Sequence, residues 1–479
     1  MKRTKIICSI GPSSAQYETF KKMILNGMNV ARINFSHATE DEKKNVLSLV
    51  KRANEEMNHH IAVLFDTKGP DFRVGMMTND CINLVPGKTI KIVKEDILGT
   101  EEAFTVNYKE ALDSIEQGDT VLLEDGLMSL KVIEKLSNGV NCEIISGGVL
   151  GNKKSINVPG ANLNFPFISD ADREDIIYAC KHDGDFLALS FVSCKEDVEE
   201  VKKILKENGR EDMQIISKIE SSRAIKNLDE IIKVSDGIMV ARGDLGVEMP
   251  MAKLPILQKQ IIEKCRSYGK TCIVATEMLA SMYTNSRPTR AEISDVANAV
   301  LDGTDAVMLS GETTLGKHPA DAVKYMAEAC KTAESFFDYE SNHIVGKNDV
   351  PDAIAYNVVE TSNLLDTKVI VATTTSGYTA KLIGNLKPKA YVLATCMEEK
   401  IAKSLALNYG VYPVVVKRHG KLEDIIKQAK EEALKFTKLK AGDHIILSGG
   451  FPRNIGLKTT NFMKVETIEE DDLNWFFVK

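Results

Sequence analysis

Met213–Glu248 reads MQIISKIESSRAIKNLDEIIKVSDGIMVARGDLGVE, and the fold follows from how this stretch divides. Two short runs rich in Ile and Val, Ile215–Ile219 and Gly237–Ala241, enclose a segment of helical period. Apolar runs this short are the signature of parallel strands buried on both faces. The first ends in Lys218 and Glu220, the second in Arg242, Gly243 and Asp244. Residues at the carboxyl ends of such strands converge on one rim of the sheet, where α/β folds bind ligands. That rim then carries an ammonium, two carboxylates and a Gly-containing turn opening a helix. The set suits a divalent metal bridging to a small phosphorylated acid. Taken singly, Lys218 or Glu220 reads equally well as part of a surface ion pair; sharing a rim is what points to chemistry.

Outward from this unit the same rhythm repeats. Thr4–Ile10, Asn29–Phe35 and Ile61–Phe65 precede it; Phe186–Val192, Cys272–Ala275 and Asp305–Leu309 complete the set. Eight strands alternating with helical segments such as Glu18–Leu25 and Glu40–Met57 predict an α/β fold, a (β/α)₈ TIM barrel. The residues just past the strands are polar or small: Asn34 and Ser36, Asp66 and Thr67, Ser190, Thr276 and Glu277, Ser310 and Glu312. In a barrel they face one cavity.

The rhythm breaks between Asp71 and Phe165, where strand signals crowd together between turns such as Pro86-Gly87, Asp125-Gly126 and Asn138-Gly139. This predicts a small β-barrel-like domain inserted after the third strand, with Pro70 and Pro166 flanking it as hinges. A third unit begins near Asp352. It alternates strands Val369–Thr373, Tyr391–Thr395, Val411–Val416 and His444–Leu447 with helices Ala380–Leu386, Glu398–Leu407 and Leu422–Phe436, a C-terminal doubly wound α/β domain. Its first strand runs into Thr373-Thr374-Thr375-Ser376-Gly377-Tyr378-Thr379, hydroxyls and a glycine ahead of a helix. As a bare pattern this is a phosphate cradle or an ordinary helix cap. The predicted division is 1–69 with 167–335 for the barrel, 70–166 for the insertion and 350–479 for the third unit.

Composition narrows the function classes. The 479 residues are 43% hydrophobic and 27% charged, with net charge −7 and pI near 5.8. Lys and Arg are scattered, which argues against nucleic acid or an anionic membrane as partner. The start, MKRTKII, has no signal-peptide core, and no apolar run approaches the ~20 residues of a membrane span. Nine Cys without a CxxC pair read as free buried thiols in a reducing cytoplasm, with no structural zinc site.

The ordered motifs resemble those of the pyruvate kinase family. They are Thr4–Pro12, GMNVARINFSH (Gly27–His37), DTKGP (Asp66–Pro70), KIE (Lys218–Glu220) and MVARGDLGVE (Met239–Glu248), followed by ATEML (Ala275–Leu279), PTRAEISDVANAVLDGTDAVMLSGET (Pro288–Thr313) and the TTTSGYTA loop (Thr373–Ala380). The resemblance covers essentially the whole chain. It implies a catalytic barrel, a β-rich lid and a regulatory domain, and transfer of the phosphoryl group of phosphoenolpyruvate to ADP.

The resemblance also implies roles. Glu220 and Asp244 are the expected Mg²⁺ ligands, and Lys218 and Arg32 the cations around the moving phosphoryl. Substrate also meets Gly243, Asp244 and Thr276, while Thr276 and Ser310, with Glu312 behind, belong to the proton chain to the enolate carbon. Ser310 reads as a simple cap as well. Asn34, Ser36, Asp66 and Thr67 match a K⁺ site, although spacing alone reads them as helix caps. Asn34, His37 and Arg73 fall on the nucleotide side; His37 and Arg73 are equally readable as solvated. Thr375, Ser376, Gly377 and Thr379 are the expected holders of a phosphorylated allosteric effector, with Gly449–Arg453 closing over it. Asp71, Glu277 and Ser193 depart from the commoner residues. An acid at position 71 accompanies K⁺ dependence in the family, so K⁺ dependence is expected. A homotetramer is implied by resemblance, and the sequence ending at Lys479 leaves no room for an added carboxyl-terminal domain. Two other readings compete: a Mg²⁺-dependent lyase or aldolase of an oxo acid, and a catalytically silent metabolite sensor. Lys218, Arg32 and the K⁺ set argue against the lyase, and intact Lys218, Glu220, Asp244 and Thr276 against the sensor.

Overall fold

Eight short apolar runs close on themselves: β1 (Lys5–Ser9), β2 (Val30–Asn34), β3 (Ala62–Asp66), β4 (Phe186–Leu189), β5 (Gln214–Ile219), β6 (Gly237–Ala241), β7 (Thr271–Ala275) and β8 (Ala306–Leu309). Each pairs in parallel with its neighbours in chain order, and β8 returns to β1. The computed structural model describes residues 1–163, 166–339, 349–417, 421–451 and 459–477. Phe165, Pro452 and Arg453, which figure in the sequence reading, lie outside them.

Side chains alternate across each strand. On one face Ile7, Leu64, Ile216, Met239 and Ile273 fill the barrel interior. On the other, Val63, Leu187, Ile215 and Ile238 pack beneath the helices. Both faces are dry, which is why the runs read as continuous rather than alternating. Between β3 and β4 the chain forms a six-stranded sheet and a two-stranded one around a separate core that includes Phe72, Val74, Phe104 and Leu130. Its hairpin at Asn138-Gly139 needs glycine: φ is +153° at Gly139, and an added Cβ would lie 2.0 Å from the Ile92 carbonyl oxygen.

The third unit is a five-stranded sheet in the order Val411–Val415, Tyr391–Cys396, Val369–Thr373, His444–Gly449, Phe462–Thr467. It packs on the amino-terminal end of the barrel, where Ala406 and Leu407 join the barrel's interior cluster. Polar contacts tie it to the amino ends of individual strands. Lys387 Nζ lies 2.5 Å from Asp305 Oδ1 just before β8. Lys5 Nζ, on β1, donates to the Val411 carbonyl at 2.5 Å and sits 4.1 Å from the Tyr412 ring centroid. Lys381 Nζ donates to Gln214 Oε1 at the start of β5, at 2.7 Å.

Several expectations are corrected. The strand expected over Phe186–Val192 stops at Leu189, because Phe191 adopts a left-handed φ of +58° and turns the chain. The antiparallel strand Phe462–Thr467 was not predicted; as an edge strand with an exposed face it carries a weak apolar signal. The helix Val350–Leu364, capped by Asp349 and opened by Pro351, was also missed. Cys81 is exposed and Cys194 half-exposed, so the thiols are not all buried.

Candidate active site

The carboxyl ends of β1 to β5 bring together charge that is far apart in sequence. Arg32, on β2, donates from Nε to Asp66 Oδ2 at 2.7 Å and from Nη1 to Ser9 Oγ at 2.6 Å. Lys218, near the end of β5, donates to Ser190 Oγ at 2.8 Å. Its ammonium lies 3.4 Å from Asp66 Oδ1 and 2.9 Å from Glu220 Oε1. The last contact is electrostatic: Glu220 Oε1 is buried with no donor aligned to hydrogen-bond it. The other oxygen, Oε2, accepts from the Phe191 amide at 2.6 Å.

These charges set one another's protonation. Burial opposes the charged form of Lys218, but Asp66 and then Glu220 overcome it and hold the ammonium well above its ordinary pKa. Asp66 is likewise pushed up by burial, yet Lys218 and Arg32 keep it below the usual carboxylate range. Glu220 goes the other way. Burial outweighs Lys218, and the charge of Asp244 adds to it, so the carboxyl is pushed up to about 7. A further cation beside the carboxyl would reverse that, and Glu220 Oε1, paired in charge with Lys218 alone, accepts no hydrogen bond among the described residues.

Across the mouth, Asp244 stands in the first turn of the helix Arg242–Glu248, which opens directly from β6. The Gly243 amide donates to Thr276 Oγ1 at 2.8 Å, and that hydroxyl donates to the Ala275 carbonyl at 2.6 Å. Thr276 and Glu277 have φ of +69° and +55°. A β-branched residue in this region is strained by on the order of 1–3 kcal/mol and survives only where its surroundings hold it. Arg242 supplies the hold. Its Nη2 donates to the Thr276 carbonyl at 2.7 Å while Nη1 pairs with Asp295 at 2.7 Å. Ser310 follows β8 and donates its amide to Glu312 Oε2 at 2.8 Å; Glu312 Oε1 accepts from the Leu279 amide at 3.1 Å.

Asn34 and Asp66 sit opposite each other on β2 and β3. Asn34 Oδ1 accepts from the exposed Ser36 at 3.1 Å, and buried Thr67 accepts from the Ser190 amide at 3.2 Å. The helix cap nearby is Thr39, which forms a capping box with Glu42. His37 is exposed. Arg73 lies across a cleft of about 570 Å³ shared with Asp71, Phe191, Ser193, Asp244 and Glu248. It pairs with Asp71 at 2.5 Å and donates to the Lys153 carbonyl at 2.6 Å. Ser193 donates to Asp197 from both amide and hydroxyl.

In the third unit, Thr375 and Ser376 are exposed and Gly377, at φ +81°, caps the helix Tyr378–Asn385. Thr379 is buried, its hydroxyl 2.8 Å from that of Thr460. Sequence reasoning gave no role to Ser9, Ser190, the Phe191 amide or Arg242. Ser190 and Arg242 were visible as polar strand ends. Nothing in a phenylalanine announces a left-handed backbone.

Two family models match the chain: the pyruvate kinase barrel domain over residues 1–323 and the pyruvate kinase alpha/beta domain over residues 352–466. A pyruvate kinase from Clostridium perfringens is 41% identical over 477 residues, covering 98% of this chain and 100% of that one. One from Sporosarcina psychrophila is 40% identical, covering 98% of this chain and 81% of its own length. The crystal structure of a pyruvate kinase from Cryptosporidium parvum superposes with a TM-score of 0.93 at 38% identity, over 97% of this chain and 96% of that one. The chain belongs to the pyruvate kinase family, a family of phosphotransferases built on this barrel and α/β domain.

Proposed function

We propose that the barrel mouth transfers the phosphoryl group of phosphoenolpyruvate to ADP. The bond from phosphorus to the enol oxygen breaks, a bond to the terminal ADP oxygen forms, and the enolate left behind takes a proton at carbon to give pyruvate. The observation that carries this reading is the chain of ion pairs at the strand ends, Arg32 to Asp66, Asp66 to Lys218 and Lys218 to Glu220. Phosphoryl transfer asks a protein for positioned positive charge more than for covalent chemistry. Arg32 offers a planar fork for two phosphoryl oxygens and Lys218 a point charge for the oxygen that gains charge. Thr276, with Ser310 and Glu312 behind it, stands toward the carbon that is protonated, through a relayed water because a threonine hydroxyl is a weak acid.

Glu220 and Asp244 are the residues that fit Mg²⁺. Among the described residues no three His, Cys, Asp or Glu are grouped to hold a metal, and Mg²⁺ suits two acids completed by substrate oxygens and water. When bound, the ion would neutralise charge on the substrate carboxylate and phosphoryl. Asn34, His37 and Arg73 would lie on the nucleotide side, where a second Mg²⁺ bound to the nucleotide would neutralise phosphate charge. Asn34, Ser36, Asp66 and Thr67 supply the hard oxygen donors that suit K⁺.

The division into barrel (1–69, 167–335), lid (70–166) and regulatory unit (350–479) belongs to the same reading. The lid closes over the cleft about Pro70 and Pro166, and Thr375, Ser376, Gly377 and Thr379 hold a phosphorylated effector. A homotetramer is proposed from the family alone. No helix among the described residues is long and apolar enough to cross a membrane, and a cytoplasmic location accords with that.

The test is ³¹P and ¹H NMR of the whole chain with phosphoenolpyruvate, ADP, Mg²⁺ and K⁺. The reading predicts stoichiometric ATP and pyruvate, and activity lost when K⁺ is withheld. No turnover with any phosphorylated sugar or nucleotide added leaves a silent sensor. Pyruvate released from a larger oxo acid without ADP leaves a lyase. Undiminished rate in K⁺-free buffer removes the K⁺ assignment.

A further inference from the structure

We propose that Ser190 is a positioning residue for phosphoryl transfer, its hydroxyl fixing where the ammonium of Lys218 stands. The proposal rests on the phosphotransfer reading above and adds to it a residue that the motif comparison did not assign.

The geometry leaves this hydroxyl one orientation. A serine hydroxyl has a single proton and two lone pairs. Ser190 Oγ lies 2.7 Å from the Thr67 carbonyl oxygen, which can only accept, so the proton goes there. The other acceptor in reach, Asp66 Oδ1, is farther at 3.4 Å. A lone pair is therefore presented to Lys218 Nζ at 2.8 Å. Ser190 is 3% exposed, so water does not substitute for it. Ser190 thus takes a directed hydrogen bond from Lys218, while Asp66 and Glu220 hold the same ammonium at ion-pair distance.

The turn carrying Ser190 is itself held. Gly69 of the DTKGP motif, at φ +73°, packs against it so closely that a Cβ would lie 2.9 Å from the Ser190 Cβ and 3.1 Å from Phe191 Cδ2. The next residue, Phe191, is a bulky side chain at positive φ, an uncommon conformation kept by its surroundings. Its amide is the donor to Glu220 Oε2. One two-residue turn therefore addresses both charged groups of the KIE motif, Ser190 through its hydroxyl and Phe191 through its backbone. Only the hydroxyl is open to substitution without moving the chain.

A serine that merely satisfied a buried lysine would affect stability and leave the rate of the chemical step alone. The deciding experiment compares wild type with Ser190→Ala, Ser190→Cys and the pair Ser190→Ala with Lys218→Met. It measures kcat, KM for phosphoenolpyruvate, Mn²⁺ affinity and melting temperature. Ser190→Ala is expected to lower kcat about tenfold, with KM and Mn²⁺ affinity within about twofold, since a misplaced transition-state group lowers kcat without weakening ground-state binding. Ser190→Cys, which keeps a weak acceptor in the same place, is expected to recover part of that loss. In the Lys218→Met background Ser190→Ala is expected to cost nothing further, because both changes remove one interaction. A wild-type kcat in Ser190→Ala, equal rates for the Ala and Cys variants, a loss matched by weaker Mn²⁺ binding, or a loss that multiplies in full with Lys218→Met each overturns the proposal. Failure of wild type to turn over would instead overturn the reading beneath it.

Discussion

The two ends of one barrel bury lysines to opposite effect. At the mouth, Lys218 keeps 12% of its side chain exposed and faces two carboxylates, Asp66 and Glu220, which raise its pKa against the cost of burial. At the base, Lys387 is wholly buried with one carboxylate, Asp305, and burial still wins: its pKa is lowered. Lys2 donates through its side-chain nitrogen to the Thr4 carbonyl and Asn29 Oδ1, and burial brings it down to about 8 against the pull of Glu334. Lys5, with a carbonyl and an aromatic face, falls well below its ordinary value. The number of carboxylates per ammonium, set against its burial, decides the outcome. The mouth keeps its cation charged and partly open to a ligand. At the base, Lys387 and Lys5 join the third unit to the strand ends, while Lys2 bonds within the barrel.

The largest effect that tests this contrast is at the base. Lys387→Met is expected to destabilise the protein by about 3–5 kcal/mol, since it leaves the buried Asp305 carboxylate without its ammonium, held by the Cys272 and Tyr409 amides. The kcat of the folded fraction should stay within about twofold of wild type. Adding Asp305→Asn should recover most of the loss in denaturant titrations. An unchanged midpoint for Lys387→Met would show that the base pair is not structural.

Next is the mouth. Glu220→Gln keeps the acceptor for the Phe191 amide but removes the charge. It is expected to raise the Mg²⁺ concentration for half-activation by at least about 10–100-fold, the cost of losing even an outer partner of a metal ligand. Thermal stability should be retained. An unchanged Mg²⁺ requirement would detach Glu220 from the metal.

The smallest effect is a slope with pH. The folded pKa of Lys2, about 8, lies below its value of 10.5 when unfolded. Below about pH 8 both states hold the proton and the folded protein bears the full burial penalty. Between 8 and 10.5 the unfolded chain binds more protons, so the contribution of Lys2 to stability improves as pH rises. The stability difference, Lys2→Met minus wild type, should therefore fall across that window. Its slope is bounded by about 1.4 kcal/mol per pH unit. A flat difference would mean that Lys2 titrates alike in both states.

The same contrast governs what could be read from the sequence. The mouth was legible because strand ends are marked: an apolar run stops and a polar residue follows, as at Lys218, Asp66 and Thr276. Strand Gly237–Ala241 and helix Glu40–Met57 were read to the residue. The base was opaque. Lys387 lies 82 positions from Asp305 and reads, in the stretch LKPKA, as one more surface lysine. Lys5 sits inside an apolar run with no local sign that a carbonyl of another unit would cover it. Ser190 was seen as a polar strand end, but its partner and the φ of Phe191 depend on tertiary packing that local propensity does not encode.

The central claim is that Lys218 supplies charge to the transferring group rather than support to the fold. The measurement that bears on it most directly is the turnover of phosphoenolpyruvate and ADP by Lys218→Met, alongside its melting curve. The account predicts a rate per folded molecule lower by roughly 10²–10³ or more, beyond any loss of folded protein that follows from leaving Asp66 and Glu220 without this ammonium. A variant that keeps its rate, or that loses rate only in proportion to the fraction unfolded, would contradict it.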